Sequence, residues 1–160
     1  MSDSPHADDV DAEHPRPDGQ FYYRDPHFST RTMTHVASDL HLGHQNIIEY
    51  CERPFDSVSE MNDTLLKNWN ECVGPNERVL YLGDLAPFED RTHVVQGWLN
   101  KLNGQFLFIE GNHDPAIPIT THESYRLNLS SSGSDSDSDV YLTHYPEDIP
   151  NDWDGWAIYG

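Results

Sequence analysis

The residues of this chain that are best suited to chemistry occur in four short motifs, each directly after an apolar run. The motifs are Asp39-Leu40-His41, Gly83-Asp84-Leu85, Gly111-Asn112-His113-Asp114 and Thr143-His144-Tyr145-Pro146. Aspartate, histidine and asparagine side chains bind hard or borderline divalent cations. Each motif alone is a weak signal, because Asp-x-His and Gly-Asp often occur by chance. Together, in this order and after four apolar runs, they indicate a metal centre.

The motifs alternate with segments that have the periodicity of strands and helices. Strands are predicted over residues 33–38, 78–82, 105–110, 140–143 and 156–159. Helices are predicted over residues 44–50, after the capping box at residues 57–60, and over residues 90–102. This alternation is typical of an α/β fold, in which ligand-binding loops gather at the carboxyl ends of the strands. We therefore expect the four motifs to converge.

The spacing within the motifs suggests a role for each ligand. Asp39 and His41 lie two residues apart after a strand, so both can face one ion. Asp84 follows a glycine, which allows close backbone approach, and it is the natural bridging carboxylate between two ions. Asn112 offers a carbonyl oxygen and His144 an imidazole from a fourth strand end.

His113 follows Asn112 directly and cannot easily bind the same ion. It suits a general acid, with Asp114 as the carboxylate that holds or charges its ring.

These residues closely resemble the calcineurin-like metallophosphoesterase family, from about Thr34 to Gly160. The stretch 38–48 and the later Arg53-Pro54-Phe55 look like a small prokaryotic and phage branch of that family. The resemblance implies an α/β/β/α sandwich of two mixed sheets with a dinuclear metal site at the strand carboxyl ends.

The resemblance also implies an activity, namely hydrolysis of a phosphomonoester or phosphodiester by a metal-bound hydroxide at a two-metal centre. The ions would be Mn, Fe or Zn, and Mn is the one we expect to support activity in vitro. By this likeness Asp39 and His41 bind the first metal, and Asp84 bridges. Asn112 and His144 bind the second metal, and His113 protonates the leaving group with support from Asp114.

One departure from the family pattern lies at Gly160, where the sequence ends. The last family motif is a glycine followed by His-x-His, so by that pattern each ion lacks one histidine and the last strands are missing. An inactive or partner-completed fragment is therefore an alternative to a working enzyme. A nuclease is a further alternative, since related folds include nucleases.

Three residues near the first motif are candidate substrate contacts: His44, Asn46 and Arg53. Capping of a helix N-terminus is the alternative role for His44 and Asn46. For Arg53, the alternatives are a substrate phosphate and a structural ion pair with a nearby glutamate.

The chain is strongly acidic, with 28 acidic and 9 basic residues and a formal net charge of -19. Such a surface repels polyanions, so nucleic-acid binding is not expected, and a small phosphate ester or nucleotide is the expected substrate. Because acids also occur in the folded middle, for example at Glu49 and Glu71, the composition favours a halophilic protein over acidic tails that merely inflate the count.

The chain is expected to form one domain at residues 21–160, incomplete at its C-terminus, after a disordered acidic tail at residues 1–20. The Ser- and Asp-rich tract 130–139 is predicted to be a mobile loop. Cys51 and Cys72 lack metal-type spacing. No signal peptide and no run of about 18 apolar residues is evident, so a cytoplasmic protein without a membrane partner is expected.

Overall fold

A computed structural model describes residues 14–15, 21–22, 33–87, 92–114, 119–128 and 139–160. The first described strands, β1 (His14–Pro15) and β2 (Phe21–Tyr22), form a short antiparallel pair. The rest of the predicted tail at residues 1–20 lies outside the described residues, and its disorder stays a prediction.

The larger sheet contains four strands in the order β3-β4-β5-β6, and each neighbouring pair is parallel. The strands are β3 (Met33–Ala37), β4 (Arg78–Tyr81), β5 (Gln105–Ile109) and β6 (Thr121–His122). A parallel sheet places all its carboxyl ends at one edge, and the first three strands each lead into a predicted motif. This arrangement brings three motif loops side by side.

The smaller sheet contains β7 (Ser124–Asn128), β8 (Asp139–Thr143) and β9 (Trp156–Tyr159). It is mixed, because β7 pairs antiparallel with β8 and β8 pairs parallel with β9. One apolar cluster joins the two sheets: Leu80, Leu82, Leu107, Ile109, Leu127, Val140 and Leu142. The fourth motif follows β8, so this packing brings His144 towards the larger sheet.

The helices are α1 (Ile47–Tyr50), α2 (Val58–Cys72) and α3 (Thr92–Leu99), followed by a 3-10 turn at Pro146–Asp148. The cluster that joins α2 and α3 to the larger sheet includes Trp69, Val73, Val95, Leu99, Tyr81, Phe106 and Phe108. Burial of these apolar side chains is the main force that fixes the helices on the sheet. None of the described helices is both long and apolar enough to cross a membrane.

The expected two-sheet α/β architecture is confirmed, with differences in detail. The larger sheet is entirely parallel in its described strands rather than mixed. The described part of the chain has no α-helix after Leu99, so an outer helical layer on the smaller sheet is not part of it. Strands β6 and β7 were not expected from the sequence, because their short polar segments lack a clear alternation.

Element ends also differ from the sequence expectations. Helix α1 begins at Ile47 rather than at His44, because residues 45 and 46 form a turn before it. Ser57 caps α2 as expected by accepting a hydrogen bond from the Glu60 amide at 3.2 Å, but the Glu60 carboxylate accepts from the Asp56 amide instead of returning to Ser57.

The tract 130–139 is only partly described. Asp139 is not part of a surface loop, since it is buried, begins β8 and is ion-paired with Arg126. Residues 130–138 lie outside the described residues.

Candidate metal centre

Backbone hydrogen bonds join the first two motif loops along their length. The amide of Asp39 donates to the Gly83 carbonyl at 3.0 Å, and the amide of His41 donates to the Asp84 carbonyl at 3.0 Å. The amide of Leu42 extends this pairing to the Leu85 carbonyl at 2.8 Å. The two loops therefore form one rigid unit at the carboxyl ends of β3 and β4.

The backbone at three predicted ligands is left-handed. Among the described residues, four non-glycine residues have a positive φ, and three of them are Asp39 (57°), His41 (50°) and Asp84 (62°). Such a conformation costs on the order of 1–3 kcal/mol at each residue and persists where the surroundings impose it, often at functional sites. Here it turns the three side chains towards one point.

Asp39, His41 and Asp84 form a first cluster, whose ligand atoms all lie within 4.8 Å of one another. Nε2 of His41 is 3.6 Å from Oδ1 of Asp39 and 3.6 Å from Oδ2 of Asp84. Both distances are too long for a hydrogen bond. They suit ligands that surround one cation, and His41 and Asp84 are buried enough to be shielded from solvent.

His144 approaches Asp84 from the other side. Its Nε2 lies 3.6 Å from Oδ1 of Asp84, while its Nδ1 lies 2.7 Å from the Leu82 carbonyl. A carbonyl only accepts hydrogen bonds, so Nδ1 carries a proton, and Nε2, which faces Asp84, is the nitrogen available to bind a metal. The two carboxylate oxygens of Asp84 thus face two different imidazoles, which is the arrangement of a bridging carboxylate.

Two glycines make this close approach possible. A Cβ at Gly111 would collide with Oδ1 of Asp84. Gly83 has a φ of 94°, and a Cβ there would lie 2.7 Å from both the Gly111 amide nitrogen and Nδ1 of His144. Any larger residue would push the second, third and fourth motifs apart.

Asn112 lies on an exposed turn beside this cluster. The described contacts unite Asp39, His41, Asp84 and His144, whereas the Asn112 side chain takes no part in them. Asn112 does line a cleft of about 450 Å³. Its other lining residues are Glu110, Gly111, Glu123, Ser124, Tyr141, Tyr145 and Asp148.

The third motif loop is bound to the second through His113 and Asp114. The amide of His113 donates to Oδ1 of Asp84 at 2.9 Å. The Asp114 carboxylate accepts three backbone hydrogen bonds, from Asp84 at 2.8 Å, Gly111 at 2.8 Å and Leu85 at 2.7 Å. These are the described contacts of that carboxylate, and the His113 ring is not among them. Support of His113 by Asp114 is therefore indirect in this structure and runs through the loop.

The two aspartates have opposite pKa shifts. The nearby His41 ring lowers the pKa of Asp39, although burial opposes this shift, so the carboxylate stays charged and suited to a cation. Burial raises the pKa of Asp114, although its three backbone hydrogen bonds oppose the rise.

The three candidate substrate residues lie in different surroundings. The Arg53 guanidinium donates to the carbonyl oxygens of Asp39 at 2.8 Å and Leu40 at 2.9 Å, so it holds the first motif loop. The ion pair with a glutamate considered for it is not among its described contacts. Asn46 is exposed and makes no side-chain capping bond. Nδ1 of His44 lies 3.3 Å from Nδ1 of His41.

Sequence reasoning missed two further residues that fix the first loop. The Tyr81 hydroxyl accepts from the Leu40 amide at 3.0 Å, and Oδ1 of Asn62 accepts from the Gly43 amide at 2.9 Å. Both residues are buried. For Tyr81, a hydroxyl within the apolar run of β4 was the available signal, but it does not name the partner. Asn62 lies among mostly polar residues of α2 and offered no such signal.

The donor set fits a divalent metal centre. Carboxylate oxygens and imidazole nitrogens, with an amide oxygen nearby, suit manganese, iron or zinc. Nε2 of His144, which faces Asp84, and the buried Asp84 carboxylate, whose two oxygens face different imidazoles, are the structural features that such ions need.

Comparison with known proteins identifies the class. The sequence model of the calcineurin-like phosphoesterase family matches residues 34–159, and the chain belongs to that family. The expected resemblance is thereby confirmed.

The chain is similar in sequence to a protein of Methanocaldococcus jannaschii and to a protein of a mycobacterial phage. The chain is 37% identical over 130 residues to the uncharacterized protein MJ1445 of Methanocaldococcus jannaschii, a match that covers 79% of this chain and 66% of that protein. It is 34% identical over 87 residues to the Gene 66 protein of Mycobacterium phage L5, covering 54% of this chain and 42% of that protein. The phage relative agrees with the expected phage-type branch. The matched regions thus span less than two thirds of both relatives.

A solved structure supports the fold. The protein of unknown function AQ665 from Aquifex aeolicus superposes with a TM-score of 0.50 at 21% identity, over 72% of this chain and 62% of that chain.

Proposed function

We propose that this chain is a metal-dependent phosphoesterase that holds two divalent cations between its motif loops. The observation that carries the proposal is the Asp84 carboxylate, whose two oxygens face His41 on one side and His144 on the other. Asp39 completes the first position, and Asn112 is the proposed further ligand of the second. Membership of a family of phosphoesterases supports the same reaction class.

Two bound cations would polarise the phosphoryl oxygens and lower the pKa of a water molecule. The chain supplies the remaining functions. Asp39 and Asp84 neutralise the charge of the cations, and His41 and His144 present Nε2 to them. The ring of His113 donates a proton to the leaving oxygen, while its own amide is anchored on Asp84 at 2.9 Å. Asp114 fixes the loop that carries His113.

The surroundings support a small substrate. The cleft beside Asn112 carries Glu110, Glu123 and Asp148 together with two tyrosines. These carboxylates and the net charge of -19 repel a long polyanion. The cleft of about 450 Å³ has space for a small phosphate ester or nucleotide. A nuclease, or an inactive or partner-completed fragment, is the alternative outcome of the test below.

The test is hydrolysis of bis-p-nitrophenyl phosphate and p-nitrophenyl phosphate with manganese. Asp84→Asn should lower kcat/KM by at least about a hundredfold, because changes to groups that merely contact a metal ligand already reduce activity about 10–100-fold. Asp63→Asn, at an exposed position of α2, is the matched control and should retain turnover. Equal rates in both variants contradict the proposal. A wild-type chain that binds manganese but is inactive would favour the alternative of an inactive or partner-completed fragment.

Four finer expectations accompany the proposed activity: the cation, the class of ester, the response to salt and the location. Manganese is the proposed cation in vitro, and the two esters above decide between phosphomonoesterase and phosphodiesterase activity. A halophilic protein should melt at a higher temperature in molar KCl than in low salt, and equal melting would remove that expectation. A cytoplasmic location stays a prediction.

A further inference from the structure

Three histidine rings cluster beside the proposed dinuclear centre. His41 and His44 come from the first motif loop and His113 from the third. Their ring centroids lie 5.3 Å (His41–His44), 5.2 Å (His41–His113) and 5.4 Å (His44–His113) apart. One nitrogen from each ring lies within 4.8 Å of the other two. We propose that this triad is a further binding site for one borderline divalent cation, zinc or cobalt(II), which shares His41 with the proposed dinuclear centre.

The spacing of the rings carries the proposal. With metal–nitrogen bonds of about 2.0–2.1 Å and tetrahedral angles, two ligand nitrogens lie about 3.3 Å apart. Nδ1 of His41 and Nδ1 of His44 are 3.3 Å apart. Rings that point at the same ion have centroids roughly an ångström further out, hence about 5 Å apart. All three centroid distances agree with this value.

A simple hydrogen bond between His41 and His44 explains the geometry less well. The separation of 3.3 Å is longer than the usual range of about 2.7–3.2 Å for a donor nitrogen and its acceptor. A hydrogen bond also leaves the position of His113 unexplained. The three ring planes are inclined to one another by 51°, 71° and 45°, so the rings fan around a point instead of stacking.

The triad differs chemically from the proposed dinuclear centre. Imidazole nitrogens suit zinc and cobalt, whereas a carboxylate-rich set such as Asp39 and Asp84 suits manganese. His41 lies between the two, since its Nε2 faces those aspartates and its Nδ1 faces His44. Binding at the triad is measured without hydrolysis, so the two proposals are tested separately. A cation at the triad would engage the rings of His41 and His113 and would therefore compete with the roles proposed for them in hydrolysis.

The test is titration of the metal-free chain with cobalt(II), followed by its visible absorption and by isothermal calorimetry. The wild-type chain should give the intense bands of a four-coordinate ion. His44→Ala removes a triad ligand but none of the proposed dinuclear ligands. It should lose those bands and bind cobalt roughly tenfold more weakly or worse, since even changes around a ligand weaken metal binding about 10–100-fold. His93→Ala, at an exposed position of α3, is the matched control and should behave as wild type.

Two further variants separate the triad from its neighbour. Asp84→Asn should keep the four-coordinate bands, because it leaves all three imidazoles in place. In His44→Gln, the new side chain fills more of the space of histidine than alanine does, so this variant is less prone to a folding defect. Circular dichroism would report such a defect in either variant. The proposal is overturned if His44→Ala and His44→Gln fold and bind cobalt like wild type. It is also overturned if Asp84→Asn alone loses the bands, which would assign the cobalt to the dinuclear centre.

Discussion

The first and third motif loops reach the same metal centre, but they are held there in different ways. The first loop, residues 39–44, is fixed by side chains that lie far away in the sequence. The third loop, residues 111–114, is fixed by its own Asp114, whose carboxylate also reaches the second loop. We call the three hydrogen bonds of the Asp114 carboxylate the internal clamp, because Asp114 belongs to the motif itself. We call the contacts of the first loop with Arg53, Tyr81 and Asn62 the external clamp, because the surrounding fold supplies them.

The external clamp acts on the backbone of the strained ligand turn. Arg53 binds the carbonyl oxygens of Asp39 and Leu40, while Tyr81 and Asn62 bind the amides of Leu40 and Gly43. Since Asp39 and His41 both have a positive φ, this support keeps an unfavourable conformation in place. The positions of the metal ligands therefore depend on groups that bind no metal.

Breaking the internal clamp should have the largest effect. In Asp114→Asn, the amide nitrogen of the new side chain faces backbone N–H groups and at least one of them loses its acceptor. We expect a loss of about 2–3 kcal/mol in the free energy of unfolding, because hydrogen bonds to charged groups contribute about 1.5–3 kcal/mol. Urea unfolding measures this change. Asp152→Asn, at an exposed position, is the matched control, and equal stabilities of the two variants would contradict the role of Asp114.

Breaking the external clamp should weaken metal binding. Arg53→Ala frees the carbonyl oxygens of Asp39 and Leu40, so the ligand turn can relax. Manganese affinity, measured by calorimetry, should fall about tenfold, the lower end of the range for groups that orient a ligand. Lys67→Ala removes an exposed cation from α2 and should leave the affinity unchanged. A metal affinity that is unaltered in Arg53→Ala would show that the turn holds itself.

A finer change to the external clamp removes a single hydroxyl. Burial raises the pKa of Tyr81 well above its usual value, so the hydroxyl stays protonated and accepts from Leu40. Tyr81→Phe keeps the ring but leaves that amide without its partner, and should lower stability by about 1 kcal/mol. Thermal or urea unfolding measures the loss. Tyr50→Phe changes an exposed ring and serves as control; similar stabilities would remove Tyr81 from the clamp.

The smallest effect is expected away from both loops, at Glu77. The Glu77 carboxylate accepts hydrogen bonds from the Gly74 amide and from the His35 ring. Both bonds lower the pKa of Glu77, and the bond from Gly74 has the larger effect. A carboxylate with a lowered pKa stabilises the fold above the usual pKa of about 4.3, and this contribution is lost as pH falls through the lowered value. Glu77→Gln should therefore flatten the decline of unfolding temperature on acidification, whereas Glu49→Gln should not. An identical decline in both would contradict the assignment.

The two clamps also show how far the sequence could predict this molecule. The alternation of strands, motifs and helices predicted an α/β fold and the convergence of the motifs that carry Asp39, Asp84 and His144, because parallel strands bring their carboxyl ends to one edge. The division into two sheets was implied by the family resemblance. Asp114 was recognised since it belongs to a motif, but its backbone partners were not. The partners of Arg53 lie 13 and 14 residues away and those of Asn62 and Tyr81 lie 19 and 41 residues away, so no local pattern reveals them.

The same limit explains the other differences. The short strands β6 and β7 depend on pairing with distant strands rather than on their own periodicity. The His41, His44 and His113 cluster joins two loops and is not visible as a spacing in the sequence.

The most direct test of a two-metal centre bridged by Asp84 is a count of bound manganese. Equilibrium dialysis of the metal-free chain against manganese, followed by elemental analysis, should give two ions per wild-type chain and a clear loss in Asp84→Asn. Asp63→Asn should retain two. Two ions in Asp84→Asn with wild-type affinity, or a single ion in the wild-type chain at saturation, would contradict the bridging role of Asp84 and with it the proposed dinuclear centre.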